Sequence, residues 1–100
     1  MSKKLGLVIL ARLSSSRLPG KALKQIAGKS ILQHIVDRVL TVAPKNQIIL
    51  ACSDEPSDDP LERFASEINL AVYRGSLSRV GERFFGAAQS LNCDYAARIN

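Results

Sequence analysis

Residues 11 to 21 read Ala11-Arg12-Leu13-Ser14-Ser15-Ser16-Arg17-Leu18-Pro19-Gly20-Lys21, a set of residue types suited to holding an anion. Small residues let backbone N–H groups close around phosphate oxygens as a concave nest. Ser14, Ser15 and Ser16 add hydroxyl donors. Arg12, Arg17 and Lys21 add full positive charges, and the arginines can grip two oxygens at once. Pro19 and Gly20 would form the turn that returns Lys21 over the site. A solvated basic turn has the same composition. Position favours the phosphate reading, because the loop directly follows a strand-like apolar run at 5–10.

Two common phosphate motifs are absent. A Walker A loop requires a glycine five residues before Gly-Lys-Ser, and Gly28-Lys29-Ser30 has Leu23 there,. That tripeptide reads instead as a turn followed by a helix cap. The dinucleotide fingerprint of three spaced glycines does not occur either. Other reactive types are sparse. His34, the single histidine, sits among apolar helix positions and reads as packing or solvent-facing,. Asp54, Glu55, Asp58 and Asp59 lack calcium-loop spacing, so Asp58 and Asp59 read as turn and cap residues,. Cys52 and Cys93 fit no metal or redox spacing and are expected to be free thiols in a reducing cytoplasm,.

The elements that must position the loop follow from the apolar pattern. The run 5–10 reads as a strand buried on both faces of a parallel sheet. A helix follows from Ser30, with Ile31, Leu32, Ile35, Val36, Val39 and Leu40 at helical spacing and Ser30 with Gln33 as a capping box,. Residues 47–52 read as a second buried strand. A second helix runs to about residue 68, with Asp59 as N-cap and Pro60 at its first position. Residues 70–73 form a short strand ended by Gly75-Ser76. Residues 79–91 read as a third helix, weakened by Gly81 and Gly86, and 95–99 as a fourth strand. Phe84 and Phe85 cannot both face a core, so one is expected at the surface. Strands alternating with helices imply an α/β fold with a parallel sheet, in which ligands lie at the carboxyl ends of the strands.

One hundred residues, 46% of them apolar, make one compact domain and not two,. No run approaches the roughly 18 apolar residues that span a bilayer, and the N-terminal run reads as a strand rather than a signal peptide. The net charge of +5 is unevenly placed: Lys3, Lys4, Arg12, Arg17, Lys21, Lys24 and Lys29 precede the first acid, Asp37. A polyphosphate and a nucleic acid would both suit that charge. Residues 1–36 offer no Phe, Tyr or Trp on which bases could stack, which argues against nucleic acid,.

The loop resembles the nucleotidyltransferase signature A-R-x-x-S-x-R-L-P-G-K of cytidylyltransferases that act on sugars. The acylneuraminate, KDO and spore coat polysaccharide branches all carry versions of it. Further stretches resemble the spore coat branch in order: Gly28-Lys29-Ser30 with His34 and Arg38, Ala51-Cys52-Ser53 with Asp58-Asp59-Pro60, Arg74-Gly75-Ser76, Val80 with Arg83-Phe84, and Arg98-Ile99-Asn100. Arg79 stands where that branch has an acid, and Gly81 where it has Leu.

The resemblance implies a Rossmann-like parallel sheet of about four strands and three helices, strand order 3-2-1-4. The whole chain, 1–100, would be the N-terminal nucleotide-binding part of one nucleotidyltransferase domain. The implied reaction joins CTP to a sugar or sugar acid and releases pyrophosphate, with Mg²⁺ bridging phosphates. Arg12 and Lys21 would act on the reacting phosphates, with Arg17 also on the triphosphate. Ala11, Ser14, Ser15, Ser16, Gly20 and Ser53 would line the nucleotide. The metal-binding aspartate of the family would fall after Asn100, so no metal ligand is expected within the chain, and weak nucleotide binding with little or no turnover is expected of it alone. A homodimer is implied for the full-length family. The alternative in another functional class is a nucleotide-binding relic or regulatory domain without chemistry.

Overall fold

The computed structural model describes residues 4–13 and 21–99, with the backbone alone at Lys21. Four strands form a parallel sheet: β1 (Leu5–Leu10), β4 (Ile48–Ser53), β5 (Ala71–Gly75) and β6 (Tyr95–Ile99), in the order β5-β4-β1-β6. Counted along the sheet strands alone, this is the expected order 3-2-1-4. Two further strands, β2 (Gln25–Ile26) and β3 (Lys29–Ser30), pair antiparallel as a small hairpin. Its turn residues Ala27 and Gly28 both have positive φ, 56° and 84°, as a type I′ turn requires,.

Alternation within the central strands divides the core into two layers. Leu7 and Ile9 of β1 and Ile48, Leu50 and Cys52 of β4 pack with Leu32, Val36, Leu61 and Ala65. These last four belong to α1 (Ile31–Val39) and α2 (Asp59–Glu67). Val8, Ile49 and Ala51 point the other way, onto Ala87 and Leu91, at the far end of α3 (Val80–Ser90). Each fully buried Leu, Ile or Val contributes roughly 1.5–3 kcal/mol. Both faces of the two middle strands are therefore covered.

The helix ends show where local chemistry agreed with the sequence pattern and where it did not. Ser30 Oγ accepts from Gln33 N at 3.0 Å, as the capping box requires. The reciprocal half is diverted, because Gln33 Nε2 donates to Asp37 Oδ1 at 2.8 Å. α2 is capped at Asp58, not at Asp59, and the cap makes no side-chain bond to the helix. A 3₁₀ turn at Pro56–Asp58 precedes it and turns the Asp58 carboxylate inward. Asn69 and Asn92, at φ 56° and 52°, follow α2 and α3 in the left-handed conformation that commonly ends helices,.

α3 forms despite its two glycines. At Gly86 a side chain would collide with the Tyr73 ring, whereas at Gly81 it would meet open space. Phe84 packs against the second core layer and Phe85 is the exposed member of the pair. β6 is tied to the start of β1: Lys4 N donates to Asp94 Oδ2 at 2.7 Å and Asp94 N to Lys4 O at 2.8 Å, across 90 positions of sequence. Among the described residues, no helix is long and apolar enough to cross a membrane.

Candidate functional site

The strand order reverses at β1. The chain proceeds from β1 outward to β4 and β5, then returns by way of α3 to β6 on the opposite side of β1. A crevice is expected outside the carboxyl ends of the strands at such a point. A cleft of about 330 Å³ lies there. Leu10, Ala11 and Arg12 form one wall as the chain leaves β1. Leu77, Ser78, Val80 and Arg83 supply a second from the start of α3, and Arg98 of β6 a third.

The cleft is strongly basic. Arg12 is exposed, whereas Arg83 is 3% exposed, among the described residues one of only three buried polar side chains. Arg83 is held by bonds from Nη1 to the Ser76 carbonyl at 2.8 Å and the Leu77 carbonyl at 3.2 Å. Its Nε is buried with no hydrogen-bond partner among the described residues. Burial pushes the Arg83 pKa down, and the positive charges of Arg12 and Arg98 push the same way, against Asp58 and Cys52. Three guanidiniums thus share one small crevice, beside the first turn of α3, whose backbone N–H groups also favour anions.

Behind the cleft a second network fixes the loop bases. Asp58 is fully buried. Its Oδ1 accepts from Leu13 N at 2.7 Å, and its Oδ2 accepts from Ser53 N at 2.9 Å and Ser53 Oγ at 2.5 Å. Arg74 braces the same turn. Its Nε donates to the Ser53 carbonyl at 2.8 Å, its Nη2 to the Glu55 carbonyl at 2.6 Å, and its Nη1 to Asp59 and Glu62 at 2.7 and 2.8 Å. Those two carboxylates raise the Arg74 pKa further. Burial pushes the neighbouring Cys52 thiol up to about 11.

Of the site residues expected from sequence, Ala11 and Arg12 line the cleft. Ser53 lies buried at the end of β4 with its hydroxyl bonded to Asp58, and it is not part of the cleft wall. The backbone of Lys21 enters a 3₁₀ turn at Lys21–Leu23. Ser14, Ser15, Ser16, Arg17 and Gly20 lie outside the described residues. Arg83 and Arg98 belong to motifs of the sequence but not to its expected site residues, and folding brings them into one cleft with Arg12. His34 is exposed, with Nε2 at 2.6 Å from the Ile26 carbonyl, away from the cleft.

Among the described residues no three His, Cys, Asp or Glu side chains cluster. Asp58 is engaged by Ser53 and Leu13, and Asp59 by Arg74.

Known proteins resemble this chain in sequence and in fold. A family model described as cytidylyltransferase matches residues 7–100. The spore coat polysaccharide biosynthesis protein SpsF of Bacillus subtilis is 32% identical over 96 residues, covering 92% of this chain and 40% of that protein. The 3-deoxy-manno-octulosonate cytidylyltransferase of Haemophilus influenzae is 41% identical over 61 residues, 61% of this chain and 24% of that one. Among solved structures, a cytidylyltransferase from Leptospira borgpetersenii superposes with a TM-score of 0.89 at 30% identity, covering 98% of this chain and 41% of that one. The CMP:2-keto-3-deoxy-manno-octonic acid synthetase complexed with CTP gives 0.75 at 29% identity, covering 95% and 39%. The chain spans less than half the length of each of these proteins.

Proposed function

Because the chain belongs to the cytidylyltransferase family, we propose that it is the N-terminal nucleotide-binding part of an enzyme of polysaccharide biosynthesis that transfers CMP from CTP to a sugar or sugar acid. The observation that carries this reading is the convergence of Arg12, Arg83 and Arg98 on one cleft at the point where the strand order reverses. A triphosphate is the ligand whose charge matches three guanidiniums in so small a space, and the loop from Ala11 to Lys21 adds Arg17, Lys21 and three serines.

In the proposed reaction a sugar oxygen attacks the α-phosphorus of CTP. The new O–P bond forms as the bond to the β-phosphate oxygen breaks, and pyrophosphate leaves with the electron pair. Little covalent chemistry falls to the protein in such a displacement; it must align the reactants and stabilise charge. Arg12, with Arg17 and Lys21 from the loop, holds the triphosphate and offsets the charge that builds on the leaving pyrophosphate. Ala11 and its neighbours offer backbone to the nucleotide. The partners are CTP and a sugar or sugar acid, not nucleic acid. Mg²⁺, which the family resemblance implies, would neutralise phosphate charge during the displacement.

Calorimetric titration with CTP, ATP and a short RNA tests the reading. The folded chain should bind CTP in preference to ATP and RNA, and Arg12→Ala should weaken CTP by about 10- to 100-fold, as expected for loss of charge-assisted bonds. Tighter binding of RNA, or no nucleotide binding by the folded chain, overturns it.

A further inference from the structure

β1 and β4 do not simply run out of residues where their pairing stops. The last bond of their ladder runs from Ala11 N to the Ala51 carbonyl at 3.0 Å. Two residues further along, a continued parallel ladder would join Leu13 N to the Ser53 carbonyl, and Ser53 N to β1 in turn. Neither bond forms. The Asp58 carboxylate lies between the strands and takes both N–H groups, one on each oxygen, together with the Ser53 hydroxyl. The Ser53 carbonyl is taken by Arg74 Nε. A side chain from the next turn thus substitutes for the missing strand partner on both sides and marks where the two strands part.

We propose that Asp58 is a positioning residue for phosphate binding: its carboxylate ends the β1–β4 ladder and pins the Leu13 amide, fixing the path on which the chain carries Arg12 into the cleft. The inference rests on the cleft's being the CTP site. Arg12 immediately precedes the pinned amide, so the direction of its Cα–Cβ bond is set by that anchor. A carboxylate is required chemically, since three donors converge on two oxygens and an amide would turn an NH₂ group towards one of them. Asp58 also places a negative charge near Arg83 and opposes the repulsion among the cleft arginines.

Asp58→Asn, with its fold checked by circular dichroism, should weaken both CTP and inorganic tripolyphosphate by about tenfold or more, as misplacement of a binding group does. Adding Arg12→Ala should then change affinity by no more than about twofold, because the two residues act as one unit. Should Asp58→Asn not fold, Leu13→Pro removes the anchored N–H while leaving the Asp58–Ser53 bonds, with Leu13→Ala as the side-chain control. It should show the same loss for both ligands. Wild-type affinity in folded Asp58→Asn or Leu13→Pro protein, or independent effects of Asp58 and Arg12, overturns the inference and leaves the CTP site standing. Failure of the wild-type chain to bind either ligand removes the CTP site itself, and the inference with it.

Discussion

β1 is flanked by two parallel strands, and they could hardly be treated more differently. All six residues of β4 are buried. In β6 only Ala97 and Ile99 are even half-buried, and Tyr95, Ala96 and Arg98 are exposed. β4 lies between β5 and β1 with helices on both faces, whereas among the described residues β6 pairs with β1 alone. Burial is thus concentrated on one side of β1, and charge is displayed on the other, where Arg98 stands at the cleft. The arginine cleft opens along the boundary between a well-covered core and, among the described residues, a thinly covered strand.

The most forceful way to break this contrast is to substitute one residue in each strand. Leu50→Ala in β4 should cost about 3–5 kcal/mol, most of what a domain this size has to spare. Ala96→Thr in β6 should stay within about 0.5 kcal/mol. Urea unfolding of both variants measures the difference, and comparable losses would show that β6 belongs to the same packed unit as β4. A finer version lies inside α3. Gly86→Ala forces a methyl against the Tyr73 ring and should destabilise by roughly 1–3 kcal/mol,. Gly81→Ala meets nothing and should stabilise by up to about 1 kcal/mol through helix propensity,. Thermal melts showing the same sign for both would contradict the packing described.

The smallest effect concerns a surface carboxylate. Asp37 is held below its usual value of 3.8 by hydrogen bonds from Lys29 and then Gln33. Its contribution to stability is therefore present above that value and is lost as pH falls below it, through the folded-state pKa. NMR titration should show the Asp37 pKa rising in Lys29→Met, with only a slight change in melting temperature, as for other exposed ion pairs.

The sheet was legible in the sequence because its strands are short apolar runs bounded by Gly, Pro, Asp and Ser. β1 and β6 begin and end where the pattern placed them, while β4 and β5 run on to Ser53 and Gly75. The strand order came from family likeness, since periodicity carries no information about neighbours. The α2 cap was misplaced by one residue because two adjacent aspartates offer the same local signal, and tertiary contact chose between them. Gly86 read as a weakness when its cause lay in Tyr73, thirteen positions upstream. The cleft was half legible. Arg12 stood out in a run of phosphate-binding types, but the burial of Arg83 could not be read from a charged helical position. Three separated segments had to fold before Arg12, Arg83 and Arg98 met.

The bonds between Lys4 and Asp94 carry a further consequence, for how the chain acquires its shape. The strand inside the sheet precedes both of its partners in the sequence, and the second of them is joined to it across 90 positions. Parallel pairing across so long a separation must meet the entropy of closing a large loop before its contacts reward it. β1 can join β4 while the rest of the polypeptide is still emerging, and for that interval its other edge waits. Docking of β6 should therefore follow the pairing of β1 with β4, and the arginine cleft, which includes Arg98, should be completed only then.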